Sequence, residues 1–271
     1  MPAIRQPGRI SENTTLIDIG MYGVAVAAAV YLIEGDKKCL LMGEKEFIPP
    51  LLGKEKHVMD CCQCQGIEAK FDQEYVTKKL DKYRRQGPKE TTRQLIEALQ
   101  AEGVEGMTLL DIGGGVGDIQ HELLKSGVRT AVNNEASTAY VEACRAEAER
   151  QGHADRVRHL QGNFDLAAEI PPADIVTLDR VICCYNDMEQ MVNLSAQKAR
   201  RLYGLVYPRD KWWVKIVVLI YYNVRHWIQR NPFRNYVHST EAVEAVALKN
   251  GLERTFIREM GPWQVVVFTR T

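Results

Sequence analysis

The chain has 271 residues, 45% of them apolar, with 35 Lys plus Arg balanced by 35 Asp plus Glu. That length suits one large domain or a domain with an extension, and the apolar share is ordinary for a globular protein with a core. The balanced charge lacks the basic excess usual in nucleic-acid binders. The cysteines are odd in number and include two adjacent pairs, Cys61-Cys62 and Cys183-Cys184, which suits a disulfide framework poorly and points to a reducing, cytoplasmic compartment.

Taken in chain order, Thr14–Ile19, Val24–Ile33 and Lys38–Met42 read as strands, punctuated by Gly20, Gly23 and Glu34-Gly35-Asp36. The apolar run Gly20–Ile33 is too short to span a bilayer. Asp18 upstream and the lack of a small-x-small site after it argue against a signal peptide. Glu68–Arg85 carries Phe71, Tyr75, Val76, Leu80 and Tyr83 near a helical period and ends at Gly87-Pro88. A second helix, Thr91–Ala101, opens on Thr91-Thr92 as N-cap residues. From residue 108 the texture changes to alternation. Thr108–Ile112, Val128–Asn133, Val157–Gln161 and Ile175–Leu178 read as strands. Asp118–Ser126, Ser137–Gln151, Met188–Leu202, Trp212–Ile228 and Thr240–Asn250 read as helices. Leu252–Met260 and Trp263–Thr269 form a closing hairpin. Such alternation predicts a parallel sheet covered on both faces. The expected division is a β-rich extension at 1–57, a helical cap at 58–107 and the sheet domain at 108–271.

The segment that carries chemistry is Leu109-Leu110-Asp111-Ile112-Gly113-Gly114-Gly115-Val116-Gly117-Asp118. It is an apolar strand ending in an acid, then glycines that allow a tight turn and close approach of a ligand, then a helix N-terminus. A dinucleotide fingerprint needs G-x-G-x-x-G. Counting from Gly113 or Gly115, the sixth position is Asp118 or Gln120, so that fingerprint is absent. The spacing is G-x-G-x-G.

This segment resembles the S-adenosylmethionine (SAM) loop of class I methyltransferases. The resemblance covers about residues 61–271 and is strongest from 108 to 187. Within it, Cys61-Cys62-Gln63-Cys64 through Thr91-Thr92, and Leu178 through Tyr185, look like small bacterial methyltransferases that resemble magnesium-protoporphyrin O-methyltransferase. It implies an α/β, doubly wound Rossmann-like sheet with a helical cap, here preceded by an N-terminal β-rich arm. SAM is the implied cofactor. Asp111 would support its positive methionine end, with Gly113, Gly115 and Gly117 giving the backbone room. Glu135, or Asn133 or Asn134 if the strand ends earlier, would accept the ribose hydroxyls. Asn163 would bond the adenine amino group with Phe164 packed near the ring. Asp179 would stand where the methyl group is delivered. Tyr83 or Arg84, in a segment that closes over SAM, would meet the methionine carboxylate. The reaction expected is methyl transfer to a small molecule, with oxygen as acceptor atom. A nucleic-acid or protein methyltransferase and a non-catalytic SAM-binding scaffold are the alternatives.

Other features carry less. His57, Cys61, Cys62 and Cys64 have metal-ligand types but crowd into eight residues without a second C-x-x-C, so reduced thiols and no metal are expected. Cys183 and Cys184 lack the preceding proline of cytosine-C5 methyltransferases and read as packing residues. Trp212-Trp213, Tyr221-Tyr222 and Trp227 cluster where a substrate lid or a buried helix would lie, and the charges there argue for an amphipathic helix rather than a span. His226 and His238 are possible bases, each better read as a packing or surface residue. Residues 1–42 resemble the opening strands of a metallo-β-lactamase-fold protein without its zinc motif. Such strands pair with other edges, and a homodimer through the arm is expected.

Overall fold

The computed structural model describes residues 8–11, 14–17, 29–34, 37–40, 62–164, 170–228, 231 and 233–271. They fall into two compact units, Met1–Cys62 and Gln63–Thr271. Gly20–Ala28, His57 and Cys61 lie outside the described residues.

The first unit holds β1 (Gly8–Ser11), β2 (Thr14–Ile17), β3 (Ala29–Glu34) and β4 (Lys37–Leu40), an antiparallel sheet in chain order. The first of these strands was not expected from the sequence, because Gly8-Arg9-Ile10-Ser11 has one apolar residue and no alternation to read. Its partner supplies the ladder, with Gly8 opposite Leu16 and Arg9 opposite Thr15.

The second unit opens with three helices, α1 (Cys62–Lys70), α2 (Gln73–Gln86) and α3 (Glu90–Ala101). The single helix expected over Glu68–Arg85 is broken. Asp72 is extended and its carboxylate accepts from the Tyr75 N–H at 2.8 Å, so a local cap outcompetes continuation. The expected capping by Thr91 and Thr92 is also corrected. Lys89 holds the N-cap position without a side-chain bond, and both threonines are buried inside the first turn.

The main sheet contains β5 (Thr108–Ile112), β6 (Thr130–Glu135), β7 (Val157–Gln161), β8 (Ala173–Asp179), β9 (Ala199–Pro208), β10 (Leu252–Met260) and β11 (Trp263–Arg270). Its order is β10-β11-β9-β8-β5-β6-β7, with β8 at the centre, flanked by β9 and β5, and β11 antiparallel to both neighbours. The helix expected over Met188–Leu202 stops at Lys198, and β9 follows in the middle of the sheet. Its run Leu202–Pro208 is buried throughout. A strand covered on both faces shows no alternation, so its period is invisible in the sequence. α6 (Met188–Lys198) precedes it.

Along each strand successive side chains serve opposite cores. Leu109, Ile175, Leu202 and Val206 pack against Leu95 and Leu99 of α3 and against Ile119 and Leu123 of α4 (Asp118–Lys125). Leu110, Val176, Tyr203 and Leu205 pack against Met191 and Val192 of α6 and Val243 and Ala247 of α9 (Thr240–Lys249). Each fully buried leucine or isoleucine contributes about 1.5–3 kcal/mol. The remaining helices are α5 (Thr138–Arg150), α7 (Trp212–Val217) and α8 (Arg225–Ile228), the last two joined by a π-helical stretch, Val218–Val224. This two-sided covering is the doubly wound fold. No helix among the described residues is long and apolar enough to cross a membrane.

Candidate active site

The parallel strands β5, β6 and β8 end together, and a cavity of about 540 Å³ opens there, within the size range of small-molecule sites. Its floor is the turn from β5 into α4. Gly113 has φ +65°, and a Cβ there would sit 2.4 Å from Val181 Cγ2, so only glycine fits both the backbone and the space. Asp111 beneath the turn is fully buried. Its Oδ1 accepts from Thr177 Oγ1 at 2.7 Å, and its Oδ2 has no protein partner. Burial pushes its pKa well up. Asp118 opens α4 on the same wall, and burial together with the Asp179 charge raises it to about 6.

Glu135 ends β6 and lines the cavity. Its Oε2 accepts from the Gly115 N–H at 3.0 Å, while Oε1 accepts from Ala136 and Ser137 N–H at 2.8 and 3.1 Å. The carboxylate ties the glycine turn to the neighbouring strand and still has acceptor capacity for a ligand hydroxyl. Asn133 and Asn134 precede it within the strand; Asn134 also reaches the cavity. After β7, Gly162 and Phe164 form the wall. Asn163 is not part of that wall, and its Oδ1 accepts from Tyr185 Oη at 3.1 Å.

Asp179 and Arg180 close the end of β8. Thr92 Oγ1 donates to Asp179 Oδ2 at 2.5 Å, and Arg180 donates to Asp179 at 3.1 Å and to Thr91 Oγ1. Arg180 has φ +62°, a conformation that costs a side-chain-bearing residue about 1–3 kcal/mol. It is held by its N–H bond to Val206 O at 2.8 Å and by its guanidinium 5.0 Å over the Trp263 ring. Lys89, an exposed residue, reaches the same wall from the rim, where partial loss of hydration around its ammonium and the charges of Arg180 and Lys79 lower its pKa to about 8.

The helical cap forms the roof. Ile67, Phe71, Tyr75 and Phe233 line it, and Phe71 and Phe233 meet edge-on at 5.9 Å. A Cβ on Gly66 would lie 2.6 Å from the Phe233 backbone nitrogen, so α1 lies directly on this chain segment. Tyr83 also lines the cavity, with its hydroxyl donating to Glu122 at 2.9 Å. Arg84 does not line it. Its Nε donates to Glu147 Oε2 at 2.9 Å, on the side of α5. Burial raises the Glu147 carboxyl, but bonds from Arg150, Gln151 and Arg84 outweigh this and leave it near 2.

The structure therefore gathers Asp111, Gly113, Gly115, Glu135, Phe164, Asp179 and Tyr83 around one cavity and leaves Gly117, Asn163 and Arg84 off its lining. Sequence reasoning placed Arg180 with Asp179 at the end of this strand but missed Lys89 and Asp118 as lining residues. Asp118 directly follows Gly117, a signal that was available. Lys89 gave none. His238 Nε2 donates to the carbonyls of Ile182 and Tyr185, both at 2.9 Å, and His226 is buried edge-on against Phe233. Neither lines the cavity. Among the described residues no three His, Cys, Asp or Glu side chains gather as a metal site.

A family model of the O-methyltransferase domain matches residues 61–204. The chain belongs to this family. It is by that membership a SAM-dependent methyltransferase, and the family match begins beyond the four-stranded sheet. No curated protein sequence matches the chain. Among solved structures, the magnesium protoporphyrin IX methyltransferase of Synechocystis PCC 6803 with bound SAH is similar, at TM-score 0.59 and 16% identity, over 77% of this chain and 100% of that one. An O-methyltransferase family protein from Burkholderia thailandensis is similar at 0.58 and 16%, over 74% and 60%. A putative methyltransferase of Haloferax volcanii, in complex with the Trm112 activator, is similar at 0.57 and 14%, over 75% and 96%. At these identities the likeness is one of fold.

Proposed function

We propose that this O-methyltransferase family member binds SAM in the cavity over Gly113–Gly117 and transfers its methyl group to an oxygen of a small molecule. The observation that carries the reading is the buried, unpartnered Asp111 Oδ2 beneath a turn that only glycine can form. A buried carboxylate oxygen without a donor is costly, and a ligand with a cationic end would offset that cost. Asp111 and Asp118 would hold the ammonium, Glu135 the ribose hydroxyls, and Phe164 the adenine face, with Tyr83 closing the cap over them. Asn163 would act on the adenine edge only indirectly, through the Tyr185 contact.

SAM, when bound, supplies a sulfonium methyl group that leaves as the C–S bond breaks, giving a neutral thioether. The residues do the rest by alignment. An O–H acceptor must shed its proton, and Lys89, lowered to about 8, is the group on the wall that can take it. Arg180 beside it stabilises the oxygen as it becomes negative. Cys144, Cys183 and Cys184 form no disulfide, which fits a reducing, cytoplasmic setting. Charge balance favours a small acceptor over a nucleic acid.

Isothermal titration with SAM and with S-adenosylhomocysteine tests this directly. Micromolar binding, roughly −8 kcal/mol, is expected. No heat with either ligand at high protein concentration sinks the reading.

A further inference from the structure

The helical run from Trp212 to Ile228 turns an apolar stripe away from the rest of its own unit, Gln63–Thr271. Trp212, Ile216, Ile220, Val224 and Ile228 recur every fourth residue and are all exposed, Trp212, Ile220 and Ile228 at 74%, 61% and 70%. Tyr221 and Trp227 flank the stripe and are exposed as well. Val214, Val218 and His226, on the other side, are buried. The exposed apolar residues extend over several helical turns. An apolar surface that long is unusual on a soluble face and marks an interaction site.

Its charge surroundings select the partner. From Arg209 to Arg234 the sequence has six Lys or Arg and a single acid, Asp210, in a chain whose overall charge is zero. Lys215 pairs with Asp210 at 2.5 Å, Arg209 pairs with Glu259, and Arg234 donates to the carbonyls of Asn231 and Phe233, so the surplus of cations over acids is one of the sequence. Trp and Tyr beside aliphatic residues, with Lys and Arg around them, match the chemistry of a helix lying in a headgroup layer. We infer that the 212–228 helical face docks on the surface of an anionic lipid bilayer. The run bears too many charges to span. Val214, Val217 and Val218 of the same segment line the cavity, so the segment that docks also walls the cavity. On the methyl-transfer reading above, the acceptor is then a lipophilic molecule taken from the bilayer.

The full chain should be sedimented with vesicles of phosphatidylcholine alone and of phosphatidylcholine mixed with phosphatidylglycerol. Binding to the mixed vesicles is expected, with a blue shift of tryptophan emission and weakening by salt. The double variant Ile220→Glu, Trp227→Glu should bind these vesicles at least about tenfold more weakly while its SAM titration is unchanged, since neither side chain lines the cavity. Should the double variant fail to fold, Trp227→Ser alone and the salt response of the wild type carry the test. No binding by the wild type, or equal binding to both compositions, overturns the proposal. So does a wild-type dimer that the double variant splits into monomers while neither form binds vesicles, because a second copy then covers the face. Vesicle binding without SAM binding supports this surface and overturns the functional reading instead.

Discussion

At the scale of single residues, the site is a set of acids kept out of water. Asp118 is held near 6 by burial and by Asp179, so it is protonated in the free protein below that pH. A cationic ligand prefers the carboxylate. SAM affinity should therefore rise as pH rises through about 6, and Asp118→Asn should weaken binding and flatten that rise; titration between pH 5 and 8 reads both. Lys89 behaves with the opposite charge logic. It becomes a neutral base as pH rises through about 8, so kcat should climb over that range, and Lys89→Met should lower it by about 10²–10⁴ with KM for SAM nearly unchanged. Arg84 separates the sequence expectation from the structure. Its guanidinium belongs to the buried Glu147 carboxylate. Arg84→Ala should cost about 1–3 kcal/mol of stability, because Glu147 keeps only its other partners, while SAM affinity stays within a factor of two. A large affinity loss in calorimetry at constant thermal stability would return Arg84 to the ligand.

At the scale of elements, β5, its turn and α4 were legible because strand, acid, glycines and helix follow one another without interruption. Glu135 at the end of β6 was legible from the same logic of strand ends. What stayed hidden has physical causes. The β9 strand is apolar on both faces and borders a helix, so no period separates the two. The break between α1 and α2 rests on one capping bond at Asp72. The role of the α3 N-terminus depends on a tertiary contact: Thr92, which reads as a cap, spends its hydroxyl on Asp179. That bond fixes the end of β8 where the acceptor would approach. Thr92→Val keeps the volume and removes the donor. It should destabilise the fold by about 1–2 kcal/mol and lower kcat more than it raises KM for SAM, as judged by denaturant melts and steady-state rates.

At the scale of the whole molecule, the two compact units divide the chemistry unevenly. Every residue proposed for the ligand lies at or beyond Ile67, in the unit Gln63–Thr271, whose sheet is complete in itself. The other unit holds a four-stranded sheet of short strands with no helix among its described residues before Cys62. A sheet so small is marginal alone, and its strand edges offer unpaired backbone groups to another chain. From this we expect residues 1–57 to be dispensable for SAM binding and required for assembly into a homodimer. A chain starting at Lys56 should bind SAM with the affinity of the full protein and elute at the monomer mass by light scattering, whereas the full chain elutes at twice its own. Backbone pairing between copies also predicts that adding salt leaves the dimer intact, since hydrogen bonds and apolar contact are screened far less than charge pairs. If the shortened chain keeps the oligomeric mass of the full chain and loses SAM binding, the arm serves the site and not the assembly, and this division of roles is reversed.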